Sequence, residues 1–165
     1  MATNIKRHML SFSPAKYGGK NTAGTIRVFK EEASQTYEYG APLVYDTSSE
    51  KVELAADTTV AAMGLALTPA TGTTSADVPV LIFNEDTILR APFLNAGAAA
   101  AASWAYIGLK YSFVARTDGY GYGVDLADTG SHDWFQVIDI EGADDSTPGY
   151  CYVRPLAAVL LTGVV

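Results

Sequence analysis

The sequence contains very few of the residues that build covalent frameworks or metal sites. It has one cysteine, Cys151, and two histidines, His8 and His132. A lone cysteine excludes an intrachain disulfide framework and a zinc site of several cysteines, and it favours a reducing compartment. Two histidines without an HExxH spacing exclude the common histidine zinc sites. The sequence therefore predicts neither a disulfide scaffold nor a zinc centre.

Long hydrophobic runs are missing as well. The segment MATNIKRHMLSF carries charge but is not followed by the apolar run of roughly 7 to 15 residues that a secretory signal needs. No segment reaches the ~18 apolar residues that a helix needs to cross a bilayer. We therefore expect a soluble protein that has no membrane partner and is made in the cytoplasm.

Acidic residues are absent from the beginning of the chain, which makes the charge distribution uneven. Residues 1–23 contain four basic side chains and no acid, whereas residues 24–165 contain seven bases and eighteen acids, a net charge of −11. This split predicts an extended basic N-terminal arm over residues 1–23 that docks on another protein or a neighbouring copy. A frayed terminus is the alternative. The acidic body argues against a direct nucleic-acid partner, because phosphate binding needs a basic surface.

The chain does have a regular series of short apolar segments separated by polar turns. The composition, 48% hydrophobic and 18% charged, is that of a globular protein, and the use of Gly, Thr, Tyr and Val favours strands and turns. We predict one all-β domain over residues 24–165. The predicted strands are residues 25–31, 43–46, 51–54, 63–68, 78–84, 88–92, 111–116, 121–126, 134–140 and 151–154.

Three pairs of these strands are predicted hairpins, because a short polar turn separates two apolar runs. The turns are residues 47–50, 84–87 and 117–120, and the third contains the Asp-Gly pair that favours a tight hairpin. An alanine run predicts one short helix over residues 97–106 that packs on the sheet. The apolar residues 156–165 are predicted to form a last core strand, with a subunit interface as the alternative.

None of the motifs that carry chemistry is complete. Residues 18–22 resemble a phosphate-binding loop, but that motif needs a glycine and a hydroxyl residue where the chain has Pro14 and Asn21. The run Ser-His-Asp at residues 131–133 has the residue types of a hydrolase triad, but triad members converge from separate segments. We predict no enzymatic activity and no cofactor. An enzyme of unrecognised type would need Asp and His side chains that converge in a deep pocket.

The third hairpin and the residues that follow it match two kinds of binding site only in part. Asp125, Asp128 and Asp133 offer oxygen ligands to a hard cation, but their spacing does not match an EF-hand and no glutamate closes the loop. The glycines of this hairpin lack the GxGxxG spacing and the following helix of a dinucleotide site. They predict a hairpin tip with two exposed tyrosines, Tyr120 and Tyr122. These suit a contact patch, because tyrosine is enriched at interfaces.

Several segments of the chain share the strand pattern of a known class of proteins. The similarity is carried by the segments GAPLVYD, KVELAADTTVAAMGLAL, VPVLIF, YIGLKYSFVARTDGYGYGVDLADTGSHDWFQVIDI and YVRPLAAVL, over about residues 24–160. These segments resemble the head decoration, or capsid cement, proteins of tailed bacteriophages. The resemblance implies a mainly antiparallel small barrel or tulip-like fold that binds outside an icosahedral head as a homotrimer. It also implies a chain terminus that reaches onto the major capsid protein or a neighbouring subunit.

These inferences lead to the hypothesis of a structural virion protein. It would decorate and stabilise a bacteriophage head by binding the major capsid protein, and it would lie on the outer capsid surface after assembly in the host cytoplasm. The predicted contact residues are Lys6, Arg7, Phe12, Lys16, Tyr17, Lys20, Tyr120 and Tyr122. The alternative is a virion or secreted binding module, a β-sandwich or jelly roll, that recognises a glycan or receptor through Tyr120, Tyr122 and Trp134.

Overall fold

A computed structural model describes residues 11–17, 20–21, 25–56, 62–84, 86–128 and 133–156. Within these ranges the chain forms short β-strands and one 3-10 turn (Trp104–Tyr106), and it forms no α-helix. The strands are β1 (Ser13–Pro14), β2 (Lys16–Tyr17), β3 (Lys20–Asn21), β4 (Thr25–Lys30), β5 (Pro42–Asp46), β6 (Lys51–Leu54), β7 (Gly64–Ala66), β8 (Asp77–Ile82), β9 (Leu89–Asn95), β10 (Ala98–Ala99), β11 (Lys110–Tyr111), β12 (Phe113–Ala115), β13 (Tyr122–Asp125), β14 (Phe135–Glu141) and β15 (Tyr150–Pro155). The all-β prediction is confirmed.

The strands form two main sheets. The larger sheet has eight strands in the order β11-β14-β15-β9-β13-β12, with β1 and β10 also paired to β9. All of its pairs are antiparallel except β9 with β13. The smaller sheet has five strands in the order β4-β8-β7-β5-β6, all antiparallel, and β2 and β3 form a separate two-stranded ribbon. Strand β9 therefore lies at the centre of the larger sheet.

The smaller sheet curls until its two ends meet at one point. Glu31, directly after β4, forms a single parallel bridge with Val52 of β6, and Glu32 N donates a hydrogen bond to Val52 O at 2.9 Å. Within the described residues, no ladder joins β4 to β6 beyond this bridge. The described residues therefore form no closed barrel, so of the predicted small barrel or tulip-like fold they do not show a closed barrel form.

One hydrophobic core serves both sheets. Phe135 of β14 lies between two other phenylalanines: its ring centroid is 4.8 Å from that of Phe12 and 6.0 Å from that of Phe83, which directly follows β8. All three side chains are buried. Burial of a phenylalanine side chain contributes about 1.5–3 kcal/mol to folding. These three rings therefore fasten the larger sheet, the smaller sheet and the N-terminal segment to one another.

Two of the three predicted hairpins are confirmed. Strand β5 pairs with β6 across residues 47–50, and β12 pairs with β13 across residues 116–121. The hairpin predicted at residues 84–87 is wrong, because β8 pairs with β4 and β7 while β9 belongs to the larger sheet. The chain crosses between the sheets at this point. The buried hydroxyl of Thr87 holds the crossing, because it donates to Asn84 Oδ1 and accepts from Asn84 N, both at 2.9 Å.

The predicted helix over residues 97–106 is also wrong. Its alanines form β10 and then run against the loop that precedes β15: Gly149 N donates to Ala100 O at 2.8 Å, and Ala102 N donates to Ser146 O at 3.0 Å. These backbone groups have partners outside the segment and so need no helix. The small alanine side chains allow the two backbones to come this close. Helix propensity is a weak determinant when tertiary hydrogen bonds compete.

Part of the predicted N-terminal arm lies in the body. Ser13 of β1 pairs with Arg90 of β9, and Ala15 N donates to Ile88 O at 3.1 Å. Phe12, which directly precedes β1, is fully buried. Residues 1–10 of the arm, and the C-terminal residues 157–165 that were predicted as a last strand, lie outside the described residues.

Candidate interaction surfaces

The predicted contact residues of the N-terminal arm fall into three groups. Lys6 and Arg7 lie outside the described residues. Lys16, Tyr17 and Lys20 lie in the ribbon of β2 and β3, where Tyr17 pairs with Lys20. Phe12 belongs to the core described above, so its side chain is not at the surface.

The third hairpin exposes one of its two predicted tyrosines. Tyr120, in the turn, is 46% exposed, whereas Tyr122, the first residue of β13, is only 7% exposed. The ring of Tyr122 packs beside Phe113 at a centroid distance of 6.4 Å, and burial raises the pKa of its hydroxyl. The prediction that both are exposed is therefore wrong for Tyr122, because its side chain in β13 turns inward and packs beside Phe113.

The tip that carries Tyr120 is held by a local network. Arg116 Nη2 lies 2.7 Å from Asp118 Oδ2, and Asp118 Oδ1 accepts a hydrogen bond from Tyr120 N at 3.1 Å. The hydrogen bond from Arg116 lowers the pKa of Asp118, and the same bond raises the pKa of Arg116. Tyr120 is therefore presented from a turn whose backbone is fixed by its own side chains.

A cleft of about 230 Å³ lies beside this tip. Its lining residues are Thr36, Tyr37, Glu38, Ala115, Gly119, Gly121 and Tyr122. Tyr37 and Tyr122 are both buried, and Tyr37 directs its hydroxyl to Glu31 Oε2 at 3.3 Å, into the interior. The cleft therefore offers mainly the apolar parts of its tyrosines to a ligand.

Glu31 is the one fully buried carboxylate of the described residues, and sequence inspection did not identify it. Its Oε2 accepts from Thr71 N at 2.9 Å and from Tyr37, and its Oε1 accepts from Thr71 Oγ1 at 3.1 Å. Buried carboxylates are typical of active sites. This one has no exposed surface, and both oxygens have protein donors. The arrangement fits a structural role, in which the carboxylate joins the end of β4 to the loop at residue 71.

Two of the carboxylates that were considered as cation ligands, Asp125 and Asp133, each interact with other groups of the protein. Asp125 Oδ1 accepts from the backbone N–H groups of Ala96 and Ala127, both at 3.1 Å, and Asp133 lies 3.7 Å from Lys110 Nζ. No group of three metal-ligating side chains exists in the part of the chain that the structure describes. Residues 131 and 132 of the triad-like run lie outside that part.

Among the described residues, two groups of large apolar side chains are exposed. One is on β4, where Ile26 is 61% and Val28 is 63% exposed. The other, here called the apolar turn, consists of Trp104, Ile107 and Leu109 around the 3-10 turn, with Trp104 53% exposed. The sequence pattern predicted the strand β4, but it did not predict that the side chains of Ile26 and Val28 would be exposed. Of the apolar turn, only Trp104 lies within the predicted helix over residues 97–106.

The aromatic set of the alternative glycan-binding hypothesis does not form a surface. Of Tyr120, Tyr122 and Trp134, only Tyr120 is exposed, since Trp134 packs edge-on to Phe113 at a centroid distance of 4.9 Å. A sugar ring binds aromatic side chains through their exposed faces. The structure therefore gives this alternative no aromatic platform at these three residues.

Comparisons with known proteins leave the chain without a family. No protein-family model matches the sequence, and no curated protein matches it either. In the described residues, no helix has the length and apolar character needed to cross a membrane.

Proposed function

We propose that this protein is a structural decoration protein that binds the outside of a bacteriophage head through the major capsid protein. The observation that supports the proposal most directly is the apolar turn. It places an exposed tryptophan close in sequence to two exposed aliphatic side chains, on a body whose described residues form no group of three metal-ligating side chains. Tryptophan is among the residues that most often dominate the binding energy of protein interfaces. The strand pattern that resembles capsid cement proteins suggests the partner.

The apolar turn is fixed before any partner binds. Trp104 N donates to Asp144 Oδ1 at 2.9 Å. Beneath the turn, the ring of Tyr106 lies 5.2 Å from that of Phe93 and 6.3 Å from that of Tyr111, centroid to centroid. A contact surface that is already ordered loses less conformational entropy when it binds. Each copy of the apolar turn would therefore bind a capsid subunit at a low cost in conformational entropy.

A decoration protein gains affinity by making several contacts at once. In the proposed homotrimer, three apolar turns would engage neighbouring capsid subunits, and each bound turn raises the effective concentration of the others. Lys6 and Arg7 of the predicted arm would add contacts to acidic capsid surface. Individually weak contacts then suffice for stable occupancy.

Co-sedimentation with expanded, undecorated heads of the same virus tests the proposal. We expect saturable binding, and we expect Trp104→Ala to weaken it about tenfold or more, as for the loss of an interface hot spot. The matched control is Val28→Ala, another exposed apolar side chain, which should change the affinity less than about twofold. Absence of binding at any protein concentration, or equal binding by the Trp104→Ala variant, would overturn the proposal.

A truncation tests the arm separately. Because Phe12 is buried in the core, the deletion must stop at residue 10 if the body is to stay folded. We expect a protein lacking residues 2–10 to keep the melting temperature of the full chain but to occupy fewer sites on the head. Full occupancy by this variant would exclude a contribution of Lys6 and Arg7.

A further inference from the structure

The two edges of the smaller sheet differ in how they are covered. The edge of β6 is covered by the segment after β4, since Glu32 N donates to Val52 O and Gln35 Oε1 accepts from Leu54 N, both at 2.9 Å. Strand β4 pairs with β8 along its whole length. On its other side the described residues show one pairing, at its end, where the parallel bridge of Glu31 with Val52 uses the carbonyl of Lys30. Within the described residues, the part of this edge that precedes Lys30, here called the β4 edge, is open to another strand.

The ladder with β8 determines which backbone groups of β4 point outward. Pro79 lies opposite Val28; it has no N–H, and its carbonyl accepts from Leu67 N at 3.0 Å, on the side away from β4. In an antiparallel ladder this makes Val28 and Pro79 a non-hydrogen-bonded pair, and the direction of the backbone groups alternates along the strand. The N–H and C=O groups of Ile26, Val28 and Lys30 therefore point away from β8.

The side chains of the β4 edge present an apolar face and a positive charge. Ile26 and Val28 share one face and are both more than half exposed. Arg27 lies on the other face, is exposed, and forms no ion pair with any described residue. Lys30, by contrast, has its own carboxylate, Asp77 Oδ1, at 2.6 Å. Exposed apolar edge strands are rare in isolated proteins, because they recruit further strands.

We propose that the β4 edge binds an acidic, extended strand of another polypeptide, which adds a sixth strand to the smaller sheet. The outward groups of Ile26 and Val28 would hydrogen-bond its backbone, as in other cases of β-augmentation. Its apolar side chains would lie over Ile26 and Val28, and a carboxylate would lie opposite Arg27. A second copy of β4 fits less well, since the only charges it brings are another Arg27 and Lys30, and like charges in cross-strand positions are destabilising. This contact does not depend on the capsid function.

A synthetic peptide serves as the probe. We would use a fluorescent, end-capped peptide Thr-Val-Glu-Val-Glu-Val-Thr, measure its binding by anisotropy, and follow amide hydrogen exchange of the full-length protein by NMR. We expect saturable binding with slowed exchange of the Ile26 and Val28 amides. The same peptide with Lys in place of Glu should bind about fivefold more weakly or worse, because it loses the carboxylate opposite Arg27.

Two substitutions separate the contribution of backbone hydrogen bonds to peptide binding from that of the Arg27 charge. Val28→Pro removes an outward N–H and leaves the β8 hydrogen bonds intact, so it should abolish binding while circular dichroism remains unchanged. Arg27→Glu should reverse the preference toward the Lys peptide. The matched control is Lys110→Glu on β11, an edge strand of the other sheet, which should leave the affinity for the acidic peptide within about twofold.

If Val28→Pro fails to fold, the reversed peptide preference expected for Arg27→Glu still tests the proposal. The proposal is overturned if both peptides bind Arg27→Glu as they bind the wild type, or if a folded Val28→Pro variant binds normally. It is equally overturned if exchange slows at another strand and not at β4, or if the Ile26 and Val28 amides are already protected from exchange in the protein without peptide.

Discussion

The backbone N–H of Tyr122 donates a hydrogen bond to Ser11 Oγ at 3.0 Å, across 111 residues of sequence. The same hydroxyl donates to Tyr39 O at 2.8 Å. Ser11 is fully buried, and it fits against Gly40, where an added Cβ would lie 2.2 Å from its Oγ. One small hydroxyl therefore joins the N-terminal segment, the loop before β5 and the third hairpin.

Replacing this hydroxyl should destabilise the fold without changing its shape. Ser11→Ala leaves the buried N–H of Tyr122 and the carbonyl of Tyr39 without their partner, so we expect a loss of about 2 kcal/mol in the free energy of unfolding. Urea denaturation followed by tryptophan fluorescence measures the loss. Ser13→Ala in β1 is the control and should cost about 0.5 kcal/mol or less. Equal effects of the two substitutions would show that the Ser11 bridge contributes nothing of its own.

The carboxylate of Glu31 should be needed for its hydrogen bonds more than for its charge. Glu31→Ala leaves Thr71 N and the Tyr37 hydroxyl without acceptors and opens a cavity, so we expect a cost of about 3 kcal/mol. Glu31→Gln keeps one oxygen acceptor, and its amide group can donate to Thr71 Oγ1, so it should cost about 1 kcal/mol. Urea titrations of both variants make the comparison. A larger cost for Gln than for Ala would contradict this assignment.

Buried tyrosines should make the protein sensitive to alkali. Burial is the largest cause that raises the pKa of Tyr37, Tyr39, Tyr111 and Tyr122, and the charge of Glu31 adds to it at Tyr37. The unfolded chain loses these protons near pH ~10, while the folded protein retains them. The free energy of unfolding should therefore be unaffected by them below that pH and fall above it, by up to about 1.4 kcal/mol per pH unit for each tyrosine.

Urea titrations between about pH 9 and pH 11 check this prediction. Tyr37→Phe is the control. It removes one titrating group, so its stability should start lower, because the bond to Glu31 is lost, and then fall less steeply. A free energy of unfolding that stays level across this range in the wild type would contradict the prediction.

The sequence predicts those elements of the fold whose signals are local. The hairpin at residues 117–120 follows from Asp118 and Gly119, because the turn chemistry itself sets the pairing. The turn at residues 84–87 looks the same in sequence, yet the apolar residues on its two sides bury in different sheets. Whether two neighbouring strands pair is decided there by the rest of the core, above all by Phe83 against Phe135.

The candidate surfaces were less predictable, for the same reason. A sequence pattern places Ile26 and Val28 on one face of a strand, but only the position of β4 at the edge of its sheet leaves them uncovered. Phe12 shows the converse, since a residue in a basic segment was predicted to contact a partner and lies in the core. Exposure depends on which elements become neighbours, and local composition does not contain that information.

The close approach of two backbones that replaces the predicted helix makes a sharp prediction at Gly149. A Cβ added there would lie 2.2 Å from Ala102 N and 2.7 Å from Ala101 C, and these are backbone atoms that cannot rotate away. Gly149→Ala must push the two segments apart and weaken the bonds at Ala100 and Ala102, so we expect a loss of about 3 kcal/mol in the free energy of unfolding. Gly108→Ala is the matched control. Its φ is 87° with no atom within 4 Å of the new Cβ, so it should lose only the ~1 kcal/mol of left-handed strain. Equal losses in the free energy of unfolding for the two variants, by thermal and urea denaturation, would contradict the prediction. The contact between residues 100–102 and Gly149 would then not be what stabilises the extended conformation of the alanine segment.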